Sequence, residues 1–417
     1  MIDYSTAIEI ISAAAVSLAP EETTLDASCG AAAATDIASA VNVPAFANSA
    51  MDGYAVRASD STAATPEAPV DLVILGSIPA GTGPPVDPTA PGSAWEIMTG
   101  APLPSDCDSV IPLENVELID RGKGQPGAIR IGEPVPPDLH IRRAGEDFSV
   151  GQPTLTAGQT IGPEAVMGLA AIGVEKSLIQ RLPRVAIITT GKELTTGDNE
   201  LQPGMIRDAN GPYLIAALRR LGIAATTAHR VGDNASDLQE QIATLEQSVD
   251  VILTTGGVSM SRMDFVPTAL ADLGADTLFH RVAIRPGKPI LFARLPSGTL
   301  AFGLPGNPIA VAVGLRFFVV AALRRLQGRV AEQFHWATSK TGLEKKKGLR
   351  FFAKGRAEVN SDGQIMVEIL PGQESFKISP LMEANCWAVI EENCTSVTPG
   401  QLVQVAPLYP SRFLQPS

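Results

Sequence analysis

Apolar positions along the chain change their period several times, and each change predicts a different kind of structure. From residue 184 onward, short apolar runs alternate with segments that carry apolar residues at helical spacing. Strands that alternate with helices in this way favour a mostly parallel sheet with helices on both faces. The predicted strands cover residues 185–188, 223–228 and 249–254, and the predicted helices cover residues 211–221, 235–247, 264–273 and 308–327.

The segments on either side of this region have other patterns. Residues 4–18 predict a helix that Pro20 ends. Residues 42–151 place short apolar runs, such as 71–75 and 94–98, between proline and glycine clusters, which predicts a β-rich domain. A short helix is predicted at residues 162–169. After Gly328 a small β domain is predicted, with strands at residues 351–359, 364–369 and 388–390.

Three glycine-rich turns directly follow apolar runs between residues 249 and 308. They read TGGVS at 255–259, RPGKP at 285–289 and LPGNP at 304–308. Because loops at the carboxyl ends of strands line the ligand crevice of an open α/β sheet, we expect these turns to form one site. Glycine lets the backbone direct N–H groups at anionic oxygens, and Arg285 and Lys288 add positive charge. The sequence therefore predicts a site for a phosphorylated or oxyanionic ligand.

The composition restricts the possible partners. The chain has 417 residues, which predicts several domains, and its 45% hydrophobic content is typical of globular proteins. A net charge of −12 argues against general nucleic-acid binding, which needs clustered lysine and arginine. A bound anion would therefore depend on a few local cations.

The cysteines and the N-terminus indicate the cellular compartment. Cys29, Cys107, Cys386 and Cys394 lack the spacing of a zinc site, so we expect four buried, reduced thiols. The N-terminus lacks the basic region of a signal peptide. No apolar run reaches the roughly 18 residues of a membrane-spanning helix. A cytoplasmic protein without a transmembrane helix is expected.

Three carboxylates fall near the ends of predicted strands. Glu193 lies in a glycine turn after the first strand, Asp233 precedes the helix at 235, and Asp264 opens the helix after the TGGVS turn. Together they could hold one hard cation such as Mg²⁺ beside a bound phosphate. Alternatively, Asp233 and Asp264 would cap helices and Glu193 would stabilise a helix start.

The β-rich part also contains polar turns. Asp52 lies in SAMDGY at 49–54, Thr99 and Gly100 begin TGAPLP at 99–104, and Asp147 ends GED at 145–147. Each segment alone is equally typical of an ordinary turn. The basic run at 345–347 is interpreted as a solvated loop.

As a set, these motifs resemble the molybdopterin molybdenumtransferase family, whose animal member is the E domain of gephyrin. The matching segments keep the family order between residue 42 and about residue 327, with a weaker match at 375–385. They are residues 49–54, 99–104, 145–147, 190–194, 207–210, 256–264, 285–289 and 304–308.

The resemblance implies an elongated homodimer with an α/β plus β multidomain fold. A doubly wound, mostly parallel α/β domain of the molybdopterin-binding type would comprise residues 1–19 and 182–328. A linking domain would comprise 20–41 and 152–181, and an inserted β-rich domain, 42–151, would contribute to the partner's cleft. Residues 329–417 would form a C-terminal β-barrel-like domain.

The resemblance also implies an activity in molybdenum cofactor biosynthesis. Molybdate would be inserted into adenylylated molybdopterin with Mg²⁺-dependent release of AMP. Glu193, Asp233 and Asp264 would lie near Mg²⁺, Arg285 and Lys288 would hold molybdate, and Asp52, Thr99 and Asp147 would reach the cleft of the partner subunit. Of these, the resemblance assigns catalytic roles to Asp52, Glu193, Asp233, Asp264 and Lys288. Further substrate-binding residues would be Gly100, Gly256, Gly257, Ser259, Pro305, Asn307, Ser375 and Ser379.

Four positions depart from the family pattern, which usually has Lys at Arg285, Gly at Ser261, Tyr at Phe265 and Arg at Leu349. The departures at Ser261 and Leu349 motivate an alternative hypothesis, a catalytically weak protein that binds molybdopterin or finished cofactor and delivers it to a molybdoenzyme. A third interpretation is a dimeric scaffold that binds receptor peptides. Further expected partners are the adenylyltransferase that supplies the substrate and the client molybdoenzymes.

Overall fold

The computed structural model describes residues 1–86, 88–120, 122, 127–195, 197, 201–223, 225–232, 234–258 and 265–410, with only the backbone for 225–229. The first part of the chain forms one helix and three short strands. They are α1 (Tyr4–Ala14), β1 (Pro20–Thr24), β2 (Ala32–Ala33) and β3 (Ile37–Ala38).

Helix α1 ends four residues before the predicted end at residue 18. Asp3 caps its start by accepting the Thr6 N–H at 2.8 Å. Ala15 leaves the helical backbone, with φ −84° and ψ 90°. The N–H of Leu18 donates instead to the Leu326 carbonyl at 2.9 Å. The predicted end was wrong because a tertiary hydrogen bond replaces the helical one.

The β-rich part forms a six-stranded sheet in the order β8-β5-β7-β6-β10-β9. The predicted runs at 71–75 and 94–98 overlap its strands β6 and β7. The strands of this part are β4 (Asn48–Ser49), β5 (Gly53–Val56), β6 (Val70–Ile78), β7 (Ser93–Ile97), β8 (Ser109–Pro112), β9 (Glu117–Ile119), β10 (Ala128–Ile131) and β11 (Ile141–Arg142). Two single 3₁₀ turns cover Ala58–Ser61 and Leu113–Asn115.

The chain then returns to its first segment. β12 (Pro153–Leu155) pairs with β3, and β13 (Lys176–Gln180) pairs with both β1 and β2. Between them lies α2 (Pro163–Ala171), which confirms the short helix predicted at 162–169. The β-rich sheet is therefore an insertion between strands that pair with one another.

The region after residue 184 contains the predicted alternation of strands and helices. Its strands are β14 (Val185–Thr190), β15 (Leu194–Thr195), β16 (Ile206–Arg207), β17 (Ala225–Val231), β18 (Val251–Thr255), β19 (Asp276–His280), β20 (Ile284–Arg285), β21 (Leu291–Arg294) and β22 (Leu300–Leu304). Its helices are α3 (Asn210–Arg220), α4 (Ala235–Leu245), α5 (Val266–Asp272), α6 (Pro308–Gly314) and α7 (Val320–Leu326).

The central sheet has the order β17-β14-β18-β22-β21-β19. Its first four strands are parallel, and β21 and β19 are antiparallel to their neighbours. Alternate residues of β14 face opposite ways: Val185 and Ile187 pack with α1, α3, α6 and α7, whereas Ala186 and Ile188 pack with α4 and α5. These two cores confirm the predicted mostly parallel sheet with helices on both faces.

One expectation for this sheet was wrong. The apolar run before the RPGKP turn does not continue the central sheet, because β20 pairs in parallel with a strand of the C-terminal part, Ile284 opposite Arg350 and Arg285 opposite Phe351. The chain between the antiparallel strands β19 and β21 leaves the sheet and crosses to that part. The turn therefore lies between the two parts of the molecule.

The C-terminal part forms a closed five-stranded barrel, which confirms the predicted barrel-like fold. The barrel strands pair in the circuit β25-β26-β23-β29-β27-β25, and β24 pairs with β28 beside it. The elements are β23 (His335–Ser339), β24 (Leu343–Glu344), β25 (Arg350–Val359), β26 (Ile365–Ile369), α8 (Ser379–Glu383), β27 (Cys386–Ile390), β28 (Ser396–Val397) and β29 (Leu402–Pro407).

The barrel packs firmly on the α/β part. Phe351 faces the barrel core, and its neighbour Phe352 faces outward into the α/β core. There the ring of Phe352 stacks on Phe317, with centroids 4.0 Å apart. Phe317 lies in a π-helical segment, Leu315–Val319, that joins α6 to α7 within the helix predicted at 308–327.

Two expectations, one about the cysteines and one about the basic run at 345–347, need correction. Cys107 and Cys386 are buried, and burial raises their pKa values to about 11 and about 12, but Cys29 is exposed and Cys394 is half-buried. In the basic run, Lys346 and Lys347 are exposed as predicted, but Lys345 is half-buried and its Nζ donates to the Leu349 carbonyl at 2.7 Å. In the described part of the chain, no helix is long and apolar enough to cross a membrane.

A buried ion pair joins the π-helical segment to the chain that leads into the barrel. The Arg316 guanidinium contacts Glu332 at 2.6 Å, with the two side chains 3% and 7% exposed, and its Nε donates to the Pro407 carbonyl at 2.8 Å. Glu332→Ala would leave the arginine charge buried without a charged partner, which costs about 3–5 kcal/mol. We expect the free energy of unfolding in urea to fall by that amount.

The matched control is Glu22→Ala, because Glu22 pairs with Lys176 through side chains that are both 62% exposed. Such a pair contributes little to stability. The control should leave the urea midpoint unchanged. Equal midpoints for the two variants would contradict the stabilising role of the buried pair.

Candidate functional site

Two of the three glycine turns meet at the carboxyl ends of the parallel strands β18 and β22. The N–H of Gly256 donates to the Leu304 carbonyl at 3.0 Å. Thr190, at the end of β14, donates its hydroxyl to the Thr255 carbonyl at 2.9 Å. The turns that follow β14, β18 and β22 are thereby held at one edge of the sheet, as the sequence predicted.

Gly256 occupies a position that a side chain could not share. Its φ is +91°, and a Cβ atom there would lie 2.8 Å from the Thr190 hydroxyl and 3.0 Å from the Thr190 carbonyl oxygen. Gly257 follows with φ +64°. Two successive glycines with positive φ produce a backbone turn without side chains at this edge, which suits close approach of a ligand.

The segment before α3 contacts the LPGNP turn. Asn210 donates its Nδ2 to the Gly306 carbonyl at 2.8 Å. Asp208 accepts the N–H groups of Asn210 at 2.9 Å and Gly211 at 3.0 Å, so it stabilises the start of α3. Neither Asn210 nor Asp208 was predicted as a site residue, although the segment 207–210 is part of the family match.

Glu193 lies in the turn between β14 and β15. Its carboxylate folds over Gly191, since a Cβ atom on that glycine would be 2.7 and 2.8 Å from the two oxygens. The side chain is exposed, and the strand β15 follows at Leu194–Thr195. No helix starts at Glu193 in this described segment, so the alternative role in helix-start electrostatics was wrong.

The other two proposed metal ligands, Asp233 and Asp264, lie outside the described residues, and so does Ser259. The helix α5 begins at Val266, two residues after the predicted start, and Phe265 occupies its N-cap position without a side-chain hydrogen bond. Among the described residues, no group of three or more His, Cys, Asp or Glu side chains could hold a metal ion.

The RPGKP turn and the LPGNP turn both line a cleft of about 490 Å³. The cleft lies between the α/β part and the barrel. Five of the predicted substrate-binding residues line it, together with the apolar Leu349. These five are Arg285, Lys288, Pro305, Asn307 and Ser375.

The two cations of the cleft differ in how they are held. Arg285 lies at the end of β20 with its guanidinium 5.1 Å from the centre of the Phe351 ring, a cation–π contact. Lys288 is exposed in the same turn, and its carbonyl accepts the Val282 N–H at 3.0 Å. Among the described residues, no carboxylate forms a salt bridge with either side chain. Their charge is therefore available to an anion in the cleft.

The C-terminal part supplies the opposite wall. The Ser375 carbonyl accepts the N–H of Ile309, in the first turn of α6, at 3.0 Å. Gln373, Glu374 and Phe376 line the cleft beside it. Sequence reasoning missed these three residues, because nothing in their local pattern indicates that the loop lies against the LPGNP turn. Ser379 begins α8 and does not line the cleft.

Four predicted residues lie on the inserted β-rich part and not in this cleft. They are Asp52, Thr99, Gly100 and Asp147. Asp52 Oδ1 accepts the Thr99 N–H at 2.7 Å and the Thr99 hydroxyl at 2.8 Å. The Gly100 N–H donates to the Ser49 carbonyl at 2.8 Å with φ +81°. The Asp147 side chain is exposed, and its N–H donates to the Val43 carbonyl at 2.9 Å.

The hydrogen bonds to Asp52 stabilise its ionised form. The Thr99 N–H, followed by the Thr99 hydroxyl, lowers the pKa of the Asp52 carboxyl below its ordinary value. Asp52 thus presents a negative charge in a fixed orientation on an exposed turn.

The fold and the cleft together define a class: a multidomain α/β protein with a cleft, lined by Arg285 and Lys288, between a doubly wound sheet and a small barrel. Three family descriptions match successive parts of the chain. "MoeA N-terminal region (domain I and II)" matches residues 2–173, "Probable molybdopterin binding domain" matches 186–325, and "MoeA C-terminal region (domain IV)" matches 337–408.

Whole-chain relatives agree with these matches. The chain is 36% identical to the molybdopterin molybdenumtransferase of Synechococcus elongatus, covering 98% of this chain and 100% of that protein. It is 33% identical to the Haemophilus influenzae protein of the same name, covering 90% of each. Two solved structures of molybdopterin biosynthesis MoeA protein from Pyrococcus horikoshii are similar, with TM-scores of 0.82 and 0.81.

The first of these structures is 30% identical and covers 99% of this chain and 100% of its own, and the second is 26% identical and covers 97% and 99%. The chain belongs to the molybdopterin molybdenumtransferase family. It is therefore an enzyme of the transferase class, with a role in molybdenum cofactor biosynthesis.

The two hydrogen bonds from Thr99 to Asp52 can be separated by mutation. Thr99→Val removes the hydroxyl donor and keeps the N–H donor, so we expect the pKa of Asp52 to rise but to stay below its ordinary value. Carboxyl ¹³C NMR titration of labelled aspartates measures this change. Thr82→Val is the control, because the Thr82 hydroxyl donates to a carbonyl, Pro79 O, at 2.7 Å.

The same pKa determines the sign of the stability change with pH. A lowered pKa in the folded state contributes stability above the unfolded pKa, and this stability is lost as pH falls through the folded pKa. In Thr99→Val the total loss should therefore be smaller, and it should be complete at a higher pH than in the wild type, because the folded pKa sets its lower limit. An Asp52 titration curve that coincides with the wild-type curve would contradict the assigned hydrogen bond.

Proposed function

We propose that this protein is a molybdenum insertase, which inserts molybdate into adenylylated molybdopterin and releases AMP in a Mg²⁺-dependent reaction. One observation carries the proposal. Arg285 and Lys288, two cations without a carboxylate partner among the described residues, line one cleft with Pro305, Asn307 and Ser375.

The chemistry of molybdate suits this cleft. Molybdate is a tetrahedral dianion, and the planar guanidinium of Arg285 can donate to two of its oxygens while Lys288 acts as a compact charge. The net charge of −12 makes the rest of the protein repel such an ion at long range. Local cations that no carboxylate pairs with are therefore what selective binding requires, and the one carboxylate named in the cleft lining, Glu374, pairs with Lys377 at 2.9 Å instead.

The glycine turns suit the other substrate. Gly256 and Gly257 leave backbone without side chains at the carboxyl edge of β18, where phosphate groups bind in open α/β sheets. We assign the pyrophosphate of adenylylated molybdopterin to this edge, with Ser259 as a further contact. Asn210 and Gly306 hold the adjoining turn in place.

We assign Mg²⁺ to Glu193, Asp233 and Asp264. Of these, the described Glu193 carboxylate is exposed at the same sheet edge, and Mg²⁺ commonly uses one or two protein carboxylates together with substrate phosphates. The metal would supply charge neutralisation for the phosphoanhydride. The Glu193 carboxylate would be oriented at that edge because it lies over Gly191.

The net reaction breaks the phosphoanhydride bond with one water, which releases AMP and leaves a phosphate on the pterin. Two molybdenum–sulfur bonds form, and two molybdate oxygens leave as water with protons from the thiols and the solvent. The protein's contribution in this scheme is positioning: Lys288 and Arg285 hold the oxyanion next to the dithiolene, and the glycine turns hold the nucleotide.

We propose that the protein acts as a homodimer in the cytoplasm, in which the inserted β-rich domain, 42–151, serves the partner's cleft. Asp52, Thr99, Gly100 and Asp147 support this, because they form ordered polar turns that do not line the cleft of their own chain. The other proposed domains are 1–19 with 182–328, 20–41 with 152–181, and 329–417. Free cysteines suit a reducing compartment.

Leu349 supports a second candidate function. It places an apolar side chain in the cleft where the resemblance leads us to expect an arginine. A cleft with fewer cations would bind molybdate weakly, and the protein would then bind molybdopterin or finished cofactor and deliver it to a client molybdoenzyme. An adenylyltransferase would be the upstream partner in either case.

Incubation of the protein with adenylylated molybdopterin, Mg²⁺ and molybdate tests the insertase. We expect AMP release that depends on molybdate and on Mg²⁺. Tight binding of the pterin without molybdate-dependent AMP release at saturating substrate would overturn the insertase and favour delivery.

Lys288→Ala tests the oxyanion assignment. A hydrogen bond from a charged donor contributes enough that we expect the half-saturating molybdate concentration to rise about tenfold, measured as AMP release. Lys347→Ala is the control, because it removes an exposed lysine that does not line the cleft. An unchanged half-saturation in Lys288→Ala, or an equal rise in the control, would refute the assignment.

A further inference from the structure

Lys354 is a lysine that the cleft chemistry does not use and that lies entirely inside the protein. Its exposed fraction is 0%, in the middle of the barrel strand β25. Removing a charged ammonium group from water is costly unless its donors are all satisfied. Burial accordingly lowers the pKa of Lys354, although the charge of Glu374 acts in the opposite direction.

The ammonium group is satisfied entirely by backbone carbonyls. Its Nζ donates to Gly372 O at 2.7 Å, Lys377 O at 3.2 Å and Glu374 O at 3.3 Å. An ammonium has three donors, so these bonds use its full capacity. No carboxylate in the described part of the chain forms a salt bridge with it. Lys354 therefore binds the loop 372–377 rather than an acidic partner.

A second set of hydrogen bonds attaches the same loop to the same residue. The Lys354 N–H donates to Gln373 Oε1 at 2.9 Å, and Gln373 Nε2 donates to Lys354 O at 2.9 Å. Gln373 Nε2 also donates to Leu370 O at 2.7 Å. Side chain and backbone of Lys354 thus both fix the path of this loop.

The loop is the barrel's contribution to the oxyanion cleft. Its residues 373–376 line the cleft, and Ser375 accepts the N–H of Ile309 next to the LPGNP turn. Lys354 is absent from the lining, so the three carbonyls that point at its ammonium are engaged behind the cleft wall. Carbonyl oxygens are the negative ends of peptide dipoles, and free ones near an anion would repel it.

We propose that Lys354 is a positioning residue for oxyanion binding: its buried ammonium draws the carbonyls of Gly372, Glu374 and Lys377 away from the cleft and holds Ser375 at the anion. The inference rests on the proposed function, in that it takes the cleft as the molybdate site. It adds a residue that acts through the loop and does not touch the substrate.

Lys354→Met removes the donors and keeps much of the side-chain volume. We expect the Kd for molybdate in calorimetry, and the half-saturating molybdate in AMP release, to rise about tenfold. The turnover at saturating molybdate and the half-saturation for the adenylylated pterin should change far less. Lys354→Arg should restore most of the affinity, because a guanidinium again offers several donors.

Lys340→Met is the matched control, since Lys340 belongs to the same domain and pairs with the exposed Glu358 at its surface. It should leave the molybdate affinity unchanged. If Lys354→Met does not fold, Lys354→Gln is measured instead, because its amide removes the charge and offers two donors in place of three, which should raise the same Kd. An unchanged Kd in the folded variant, or a loss of turnover at an unchanged Kd, would overturn the proposal.

Hydrogen exchange separates this inference from the proposed function. Amides of residues 372–377 should exchange faster in Lys354→Met than in Lys340→Met, whether or not the wild type binds molybdate. If the wild type binds no molybdate, the proposed function fails and the role in oxyanion binding fails with it. Faster exchange in that case would show that Lys354 stabilises the loop 372–377 but has no role in oxyanion binding. Unchanged exchange would show that it does not stabilise the loop either.

Discussion

The parallel pairing of Ile284–Arg285 with Arg350–Phe351 is the contact on which the arrangement of the cleft depends. Because of this pairing, the chain segment between the antiparallel strands β19 and β21 of the α/β sheet lies beside the barrel. Arg285 thereby rests on the Phe351 ring, and Lys288 lies between the LPGNP turn and the barrel loop. This pairing, together with the hydrogen bond from the Ile309 N–H to the Ser375 carbonyl, brings the cations and Ser375 to one cleft.

Further contacts join the two parts. Phe352 extends from the barrel into the α/β core, and Arg316 joins the π-helical segment to Glu332 and to the Pro407 carbonyl. A cleft between domains binds an anion well only if its donors are already in place, since ordering them on binding costs affinity. The buried Lys354 performs the same task on a smaller scale, for a single loop.

Much of the fold follows from the sequence because its signals are local. The alternation after residue 184 predicts the parallel sheet, and the glycine turns at 255–259 and 304–308 lie where strand ends converge. Predictions failed where a distant partner decides the outcome. Leu18 bonds to Leu326 instead of continuing α1, and β20, only two residues long, joins a strand whose paired residues lie 66 positions further along the chain.

The residues of the candidate site also divide into those that the local sequence indicates and those that it does not. The sequence could indicate Arg285, Lys288 and Asn307, since they lie within recognisable turns. It could not indicate Gln373, Glu374 and Phe376 as cleft residues, or Lys354 as a buried charge, because only barrel closure brings that loop to the turn. A lysine flanked by Ala353 and Gly355 has no local feature that predicts complete burial.

The central claim is that molybdate binds between Arg285, Lys288 and Ser375. A crystal of the protein soaked in molybdate with AMP, measured near the molybdenum absorption edge, tests it most directly. We predict one anomalous peak in the cleft within hydrogen-bond distance of the Lys288 Nζ and the Arg285 guanidinium. A molybdenum peak elsewhere, or an empty cleft at saturating molybdate, would contradict the claim.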